Sequence, residues 1–441
     1  MKVKLLIFIS IFLLLFNTNL ATAQTSELPV YIVQPGDTLY TIAVQFNVSV
    51  DDIISVNTLA NPNWLTEGEE IRVPGFDGIS GQFIPYTISL GDSYTSILNQ
   101  TIVDEDIFNK INHITSPNEL IAGKDIILPV ASNTESISNN SGVVYTTPFL
   151  SFSSTNSTIW ENEINYTISN VINYQSITIR NLSIDPFPFE QGHTSLIHFE
   201  SDPDQSLQFL VGNVPIPVYQ YESGKYFAMY SLNALSEIGE REILLQKLSD
   251  DHKTVIYSQN VLAKSMDYPT DPVIVVEESY IDPDNTTPEE KELFAMASII
   301  TEKDLWDGSL SYPVDEPCFR SYYGSIRSYN NGPYDNFHTG LDFGICASNL
   351  NVYASGSGRV VHAGEWFVRG NSVVIDHGWG VYTGYWHMDS LNVQVGDIVE
   401  EGQLIGIIGN TGRSTGAHLH LEVMVNDVQV DPLQWMDISI P

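Results

Sequence analysis

Gly416-Ala417-His418-Leu419-His420-Leu421-Glu422 places two histidines two positions apart. On a strand, residues i and i+2 point to one face, so both imidazoles project into the same cleft. The surrounding chain is rich in β-branched residues and glycine, as in Val360-Val361, Ser372-Val373-Val374-Ile375 and Leu404-Ile405-Gly406-Ile407-Ile408-Gly409. That composition predicts a sheet-forming domain with tight turns, not a helical zinc-protease frame. Six of the ten histidines fall after residue 337, and three patterns organise most of them: His338-Thr339-Gly340-Leu341-Asp342, Tyr385-Trp386-His387-Met388 and His418-Leu419-His420. Imidazole nitrogens and one carboxylate make a three-ligand zinc site with a position open for water, which the metal acidifies toward a pKa of ~7. One His-x-His alone is an ordinary polar strand face. Its coincidence with His338-x3-Asp342 and with His387 points to metal.

The chain has 441 residues, with 18 basic against 54 acidic side chains and a formal net charge of −36. At ~100–200 residues per domain it should fold as two to four domains. Its hydrophobic content of 43% and aromatic content of 11% predict buried cores, not disorder. A polyanion of this strength repels phosphate backbones and anionic membrane surfaces, which excludes nucleic acid as a partner in the absence of a basic patch. At the N-terminus, Lys2 and Lys4 precede an apolar run from Leu5 to Phe16 broken by Ser10, and Ala21-Thr22-Ala23 follows. This is the order of a secretory signal peptide, residues 1–23; the run is short for a span, which needs ~20 residues. The expected product is exported (secreted, cell-wall-associated or periplasmic), without stable membrane insertion, and a monomer.

Two segments repeat at one offset. Tyr31/Tyr86, Gly36/Gly91, Asn57/Asn112, Gly68/Gly123 and Pro74/Pro129 are each 55 positions apart. Each copy reads strand, helix, helix, strand. Thr38 or Asp37 can cap a helix carrying Leu39, Ile42 and Phe46 on one face, and Ser49 starts a second helix with Asp51 and Asp52 in its first turn. The unit resembles a LysM module. The resemblance implies binding of N-acetylglucosamine-containing glycans, typically peptidoglycan, with Gly36, Asp37, Thr38 and Asn57 as the candidate binding residues of the first copy. The modules are expected over residues 29–75 and 84–130; the second diverges, with Tyr94 where Leu39 stands.

Residues 131–174 read as a polar linker, and short alternating runs over 175–265 as an immunoglobulin-like β-sandwich acting as a spacer. Residues 266–302 read as linker and a short helix, in which Thr287 with Glu290 forms a capping box and Pro288 takes the first helical position. The last domain is expected over 303–441. The chain is therefore multidomain and mainly β, with two α+β modules ahead of the sandwich and a C-terminal antiparallel sheet.

Residues from about 320 to 436 resemble the lysostaphin/LytM-type zinc endopeptidases, which cleave peptide bonds in bacterial cell walls. The likeness rests on Phe337-His338-Thr339-Gly340-Leu341-Asp342-Phe343, Gly370-Asn371-Ser372-Val373-Val374-Ile375-Asp376-His377-Gly378, Tyr382-Thr383-Gly384-Tyr385-Trp386-His387-Met388, Gly409-Asn410-Thr411-Gly412 and the opening His418-x-His420 stretch. It implies Zn2+ held by His338, Asp342 and His420. It places His387 and His418 beside the attacking water, one as general base and the other facing the oxyanion, with the assignment open. It implies peptidoglycan as substrate. The alternatives are a catalytically silent regulator that activates an amidase, and a zymogen. His377 is expected to hold a turn, and His362 to be an ordinary strand residue. Cys318 and Cys346 can bridge in an oxidising compartment, stapling the loop that carries Asp342, or remain two buried thiols; the bridge would contribute on the order of 3 kcal/mol.

Overall fold

In the computed structural model, Tyr31 lies opposite Ile71 and beside Phe83, so strands from both repeats meet in one sheet. The structure describes residues 28–59, 61–131, 172–174, 177–203, 205–248, 253–301 and 306–441. The expected signal peptide and nearly all of the expected polar linker lie outside them. The described residues fall into two compact units, one made of residues up to 86 with 94–119 and 126–131, the other of 87–93, 120–125 and 172–441.

In the first repeat, β1 (Val30–Ile32) is followed by α1 (Leu39–Phe46), α2 (Val50–Val56) and β2 (Glu70–Arg72); in the second, β3 (Gln82–Thr87) by α3 (Tyr94–Leu98), α4 (Glu105–Asn112) and β4 (Asp125–Val130). The strand order is β2-β1-β3-β4, with β1 and β3 parallel. Thr38 is the cap of α1, forming a box with Thr41. Asp37 does not cap; its carboxylate accepts from the Gln34 backbone N–H and the Tyr31 hydroxyl, each at 2.8 Å. Leu39, Ile42, Ala43 and Phe46 form the buried stripe of α1, at helical spacing. Phe46 stacks on Phe83 of the second repeat at 5.2 Å, and Ile111 and Ile127 join the same cluster. The duplication thus closes one core across both copies. The repeated asparagine has a local cause. The Asn57 amide donates to the Ile53 and Arg72 carbonyls and its oxygen accepts from the Arg72 N–H, all at 2.8 Å, tying α2 to β2. Asn112 does the same between Phe108 and Ile127.

In the second unit, strands between residues 172 and 264 form two five-stranded sheets. One is centred on Leu207–Val211, Gly239–Leu248 and Lys253–Lys264, the other on Thr194–Glu200 and Lys225–Ser231. The region expected as a spacer is more than a length of chain. Its Phe227 and Met229 join Trp306, Val381, Val425 and Trp435 in one apolar cluster, and Tyr219 stacks on Trp379 at 5.3 Å. Helix α5 (Pro283–Ala297) begins one turn earlier than Thr287 and Glu290 suggested. Asp282 caps it by accepting from Asp284 N–H at 3.0 Å and Pro283 takes the first helical position, so the Asp-Pro pair upstream supplies both signals sooner. Pro288 then sits inside the helix, where it forgoes one backbone hydrogen bond.

The C-terminal sheet is built from β5 (Leu341–Phe343), β6 (Gly358–Trp366), β7 (Gly370–Gly378), β8 (Val381–Leu391), β9 (Leu404–Ile408) and β10 (Leu419–Val425). Its main path runs Phe319–Ser321, β5, β10, β8, β7, β6, Ile398–Val399, with antiparallel neighbours throughout. Leu419 and Leu421 enter a core with Leu341, Phe343, Val373, Ile375 and Tyr385, which turns His418, His420 and Glu422 to the opposite face. Cys318 and Cys346 form a disulfide across a sequence separation of 28. It closes the edge strand Phe319–Ser321 onto β5, where Ser321 pairs with Asp342. Loop closure of this length is worth about 3 kcal/mol, so removing the bridge by a Cys318→Ser, Cys346→Ser double change should cost about that much in chemical denaturation.

Candidate metal centre

Strand register brings the acidic and imidazole groups together. Asp342 on β5 lies directly opposite His420 on β10, and His420 lies opposite Trp386 on β8. Cross-strand partners share a face, so all three side chains meet on the face away from the core. His338 reaches them from the turn before β5, and Gly340 makes that turn possible. A Cβ at residue 340 would stand 2.1 Å from the Leu421 carbonyl oxygen and 2.6 Å from His420 Nε2. Gly340→Ala should therefore displace the His420 ring and weaken metal affinity by about 10- to 100-fold, the scale for disturbed ligand support, as read by competition with a chromogenic chelator.

Three donor atoms form a tight triangle. His338 Nε2 lies 3.1 Å from Asp342 Oδ1 and 3.0 Å from His420 Nδ1, which is itself 2.9 Å from Asp342 Oδ1. Donors bound at ~2.0–2.1 Å around a tetrahedral ion stand roughly 3.4 Å apart, so little movement separates this triangle from a coordination site. Tautomers agree. His338 Nδ1 is 2.8 Å from the Tyr322 carbonyl, which can only accept; the proton sits on Nδ1 and Nε2 presents its lone pair. His420 turns Nδ1 to the centre and Nε2 toward Glu422 Oε2 at 3.6 Å, with no hydrogen-bond partner for Nε2. Burial alone would raise the Asp342 pKa, but its close contacts with the His338 and His420 rings outweigh that and hold it well below the usual carboxylate range. These residues fit a borderline divalent ion such as zinc, with neutral imidazoles and one ionised carboxylate as donors.

Glu422 carried no assigned role in the sequence, and it supports the site. It is fully buried and accepts from Thr339 Oγ1 at 2.9 Å, Trp386 Nε1 at 3.1 Å and Gln429 Nε2 at 2.7 Å. Burial works to raise its pKa, but the nearby His420 ring, the Arg369 charge and the Gln429 amide bring it down to about 2. A carboxylate behind a ligating imidazole fixes the ring and increases its basicity. The signal was legible: Glu422 lies two residues beyond His420, on the same strand face.

His387 and His418 flank the triangle, their ring centroids 4.9 Å apart. His387 Nδ1 lies 2.8 Å from the Thr411 carbonyl and His418 Nδ1 lies 2.7 Å from the Gly416 carbonyl, so each carries its proton there. His418 Nε2 stands 3.6 Å from Asp342 Oδ1. Burial, followed by the neighbouring His420 and His418, pushes the His387 pKa down to about 3, so this ring is neutral at physiological pH. His377 lies elsewhere, buried between the Ser357 carbonyl and Thr383 Oγ1, and His362 stacks on Trp366. The five residues stand at the floor of a cleft of about 920 Å³. The segment upstream also lines it, through residues that include Ile274, Tyr280 and Phe294.

Residues 336–432 match the family model described as Peptidase family M23, and residues 31–74 and 86–129 each match that of the LysM domain. The chain carries an M23 peptidase domain. All five site residues lie within the matched M23 stretch. The similar proteins include peptidoglycan DD-endopeptidase ShyA of Vibrio cholerae, 42% identical over 104 residues, which are 24% of this chain and 23% of that one. Lysostaphin of Staphylococcus simulans is 40% identical over 108 residues, 23% of this chain and 22% of its own. The chain spans about a quarter of the length of such relatives: 29% and 23% of the two peptidoglycan DD-endopeptidases ShyB and ShyA. Among solved structures, the lysostaphin catalytic domain aligns at 34% identity and a TM-score of 0.25, covering 28% of this chain and 93% of that one. A putative M23 peptidase from Pseudomonas aeruginosa aligns at 22% identity and a TM-score of 0.42, covering 57% of this chain and 95% of that one. No helix among the described residues is long and apolar enough to cross a membrane.

Proposed function

We propose that this chain is an exported, zinc-dependent endopeptidase that hydrolyses peptide bonds of bacterial peptidoglycan and is held on the wall by its LysM repeats. The observation that carries this reading is the convergence of His338, Asp342 and His420 on one point, with two further imidazoles beside it in an open cleft. His338, Asp342 and His420 would hold the metal. When bound, the metal supplies Lewis-acid polarisation of the scissile carbonyl and acidifies a water. His387 and His418, each with Nδ1 anchored to a carbonyl, turn Nε2 toward the reaction centre. One accepts the proton of the attacking water and the other, protonated, donates to the oxyanion. Tethering by the LysM repeats raises the local concentration of a peptide that the cleft alone need not bind tightly. A net charge of −36 gives no attraction to an anionic wall, so carbohydrate contacts must retain the enzyme.

The test uses protein lacking residues 1–23 on isolated peptidoglycan, with and without a chelator, and identifies released fragments by mass spectrometry. Chelator-sensitive release of cut stem or cross-bridge peptides is the expected result. Binding without cutting, even after zinc is restored, would replace this reading with the silent regulator. Loss of sedimentation with peptidoglycan on deleting residues 24–130 checks the tether.

A further inference from the structure

Helix α5 lies upstream of the M23 match, yet one of its carboxylates is buried against the site-bearing sheet. Glu289 is 5% exposed. Its Oε1 pairs with Arg369 Nη1 at 2.6 Å and its Oε2 accepts from the Val368 N–H at 2.8 Å. Both partners belong to the turn between β6 and β7. The Arg369 carbonyl then accepts from the His387 backbone N–H at 2.8 Å. That N–H belongs to a non-glycine residue at φ +66°, a conformation that costs free energy and persists only where surrounding bonds enforce it. The Arg369 guanidinium also lies 5.3 Å from the centroid of the Trp386 ring, next to His387 in sequence. The helix is anchored for this task. Leu293 and Ala297 pack with Trp366, Tyr382 and Trp386, and Tyr382 donates to the Ile299 carbonyl at 2.7 Å.

We infer that Glu289 is a positioning residue for the hydrolysis: through Arg369 and Val368 it holds the turn whose carbonyl fixes His387 in its left-handed backbone conformation and aims its ring into the cleft. This rests on the proposed peptidase reading for its catalytic consequence, and on the geometry alone for its structural one. An ion pair buried this deeply is strongly disrupted when one partner is lost, because the remaining charge loses its hydrogen-bonded counter-ion. The M23 domain therefore takes part of its catalytic geometry from a helix outside the family's own boundaries.

Glu289→Gln in the full-length chain keeps the side chain's size and removes its charge. The expected result is a fall in kcat of about 10- to 100-fold with KM within about twofold and metal content unchanged, the range seen when supporting contacts of a site are lost. Hydrogen exchange at the His387 amide should accelerate in the same variant, and Glu289→Asp should recover part of both. Leu293→Ala serves as the comparison, loosening the helix's packing without touching the turn; it should lower the melting temperature and leave His387 exchange closer to the parent. Unchanged kcat and unchanged His387 exchange in Glu289→Gln, with only the melting temperature reduced, would overturn the inference. So would loss of bound metal. A parent protein that cuts no peptidoglycan would overturn the proposed function and the catalytic consequence drawn here, while His387 amide exchange, which needs no substrate, would still decide the structural one.

Discussion

His420→Ala should empty the metal site and abolish peptide cleavage together. His420 Nδ1 lies within 3.0 Å of both other donor atoms, so its loss leaves one imidazole and one carboxylate, too few for a stable open zinc site. Turnover should fall by at least about four orders of magnitude, since Lewis-acid activation and its water are lost at once. Metal analysis after dialysis should find the variant free of zinc while the parent retains it. The fold should survive. Glu422 keeps its bonds from Thr339, Trp386 and Gln429, and the Leu419 and Leu421 side chains remain in the core. A variant that cuts peptide with zinc still bound would show that the three residues were assigned wrongly.

His387→Ala separates chemistry from metal binding. The ring stands beside the triangle and takes no part in its shortest contacts. Its Nδ1 is anchored to the Thr411 carbonyl, and Thr411 is itself fastened to the strand that carries His387 by donating through Oγ1 to the Met388 carbonyl. Removing it should lower kcat by about 10²- to 10⁴-fold, the usual worth of a positioned acid or base, with KM and zinc content little changed. Zinc loss on this substitution would move His387 into the ligand set. Full activity would remove it from the mechanism. Alanine at a backbone held at φ +66° is itself strained, so His387→Asn, a residue that tolerates this region, is the cleaner second variant.

Much of the site was legible because it is written in short-range pattern. The two-residue spacing of His418 and His420 gives one strand face, and His338-x3-Asp342 brackets a turn. The LysM repeats declare themselves by a constant offset and by local caps at Thr38 and Ser49. Even there, the residues that made the first module recognisable are spent inside it. Asp37, Thr38 and Asn57 all make bonds that hold its backbone, and glycan contact by them remains a proposal for binding experiments.

What the sequence by itself determined was the inventory: which side chains carry chemistry, which stretches run as strands, and which repeat. What only the tertiary structure decided was how distant pieces meet. The register that sets Asp342 against His420 joins residues 78 apart, and the contact of Glu289 with Val368 joins residues 79 apart. Periodicity and capping depend on neighbours within a few residues, so they can be read along the chain. A buried carboxylate acquires its partner only when desolvation makes an unpaired charge too costly, and that condition exists only once the helix has docked. Helical spacing puts Glu289 on the face of Leu293 and Ala297 while Glu290 beside it is exposed, but nothing local names Arg369 and Val368 as its partners.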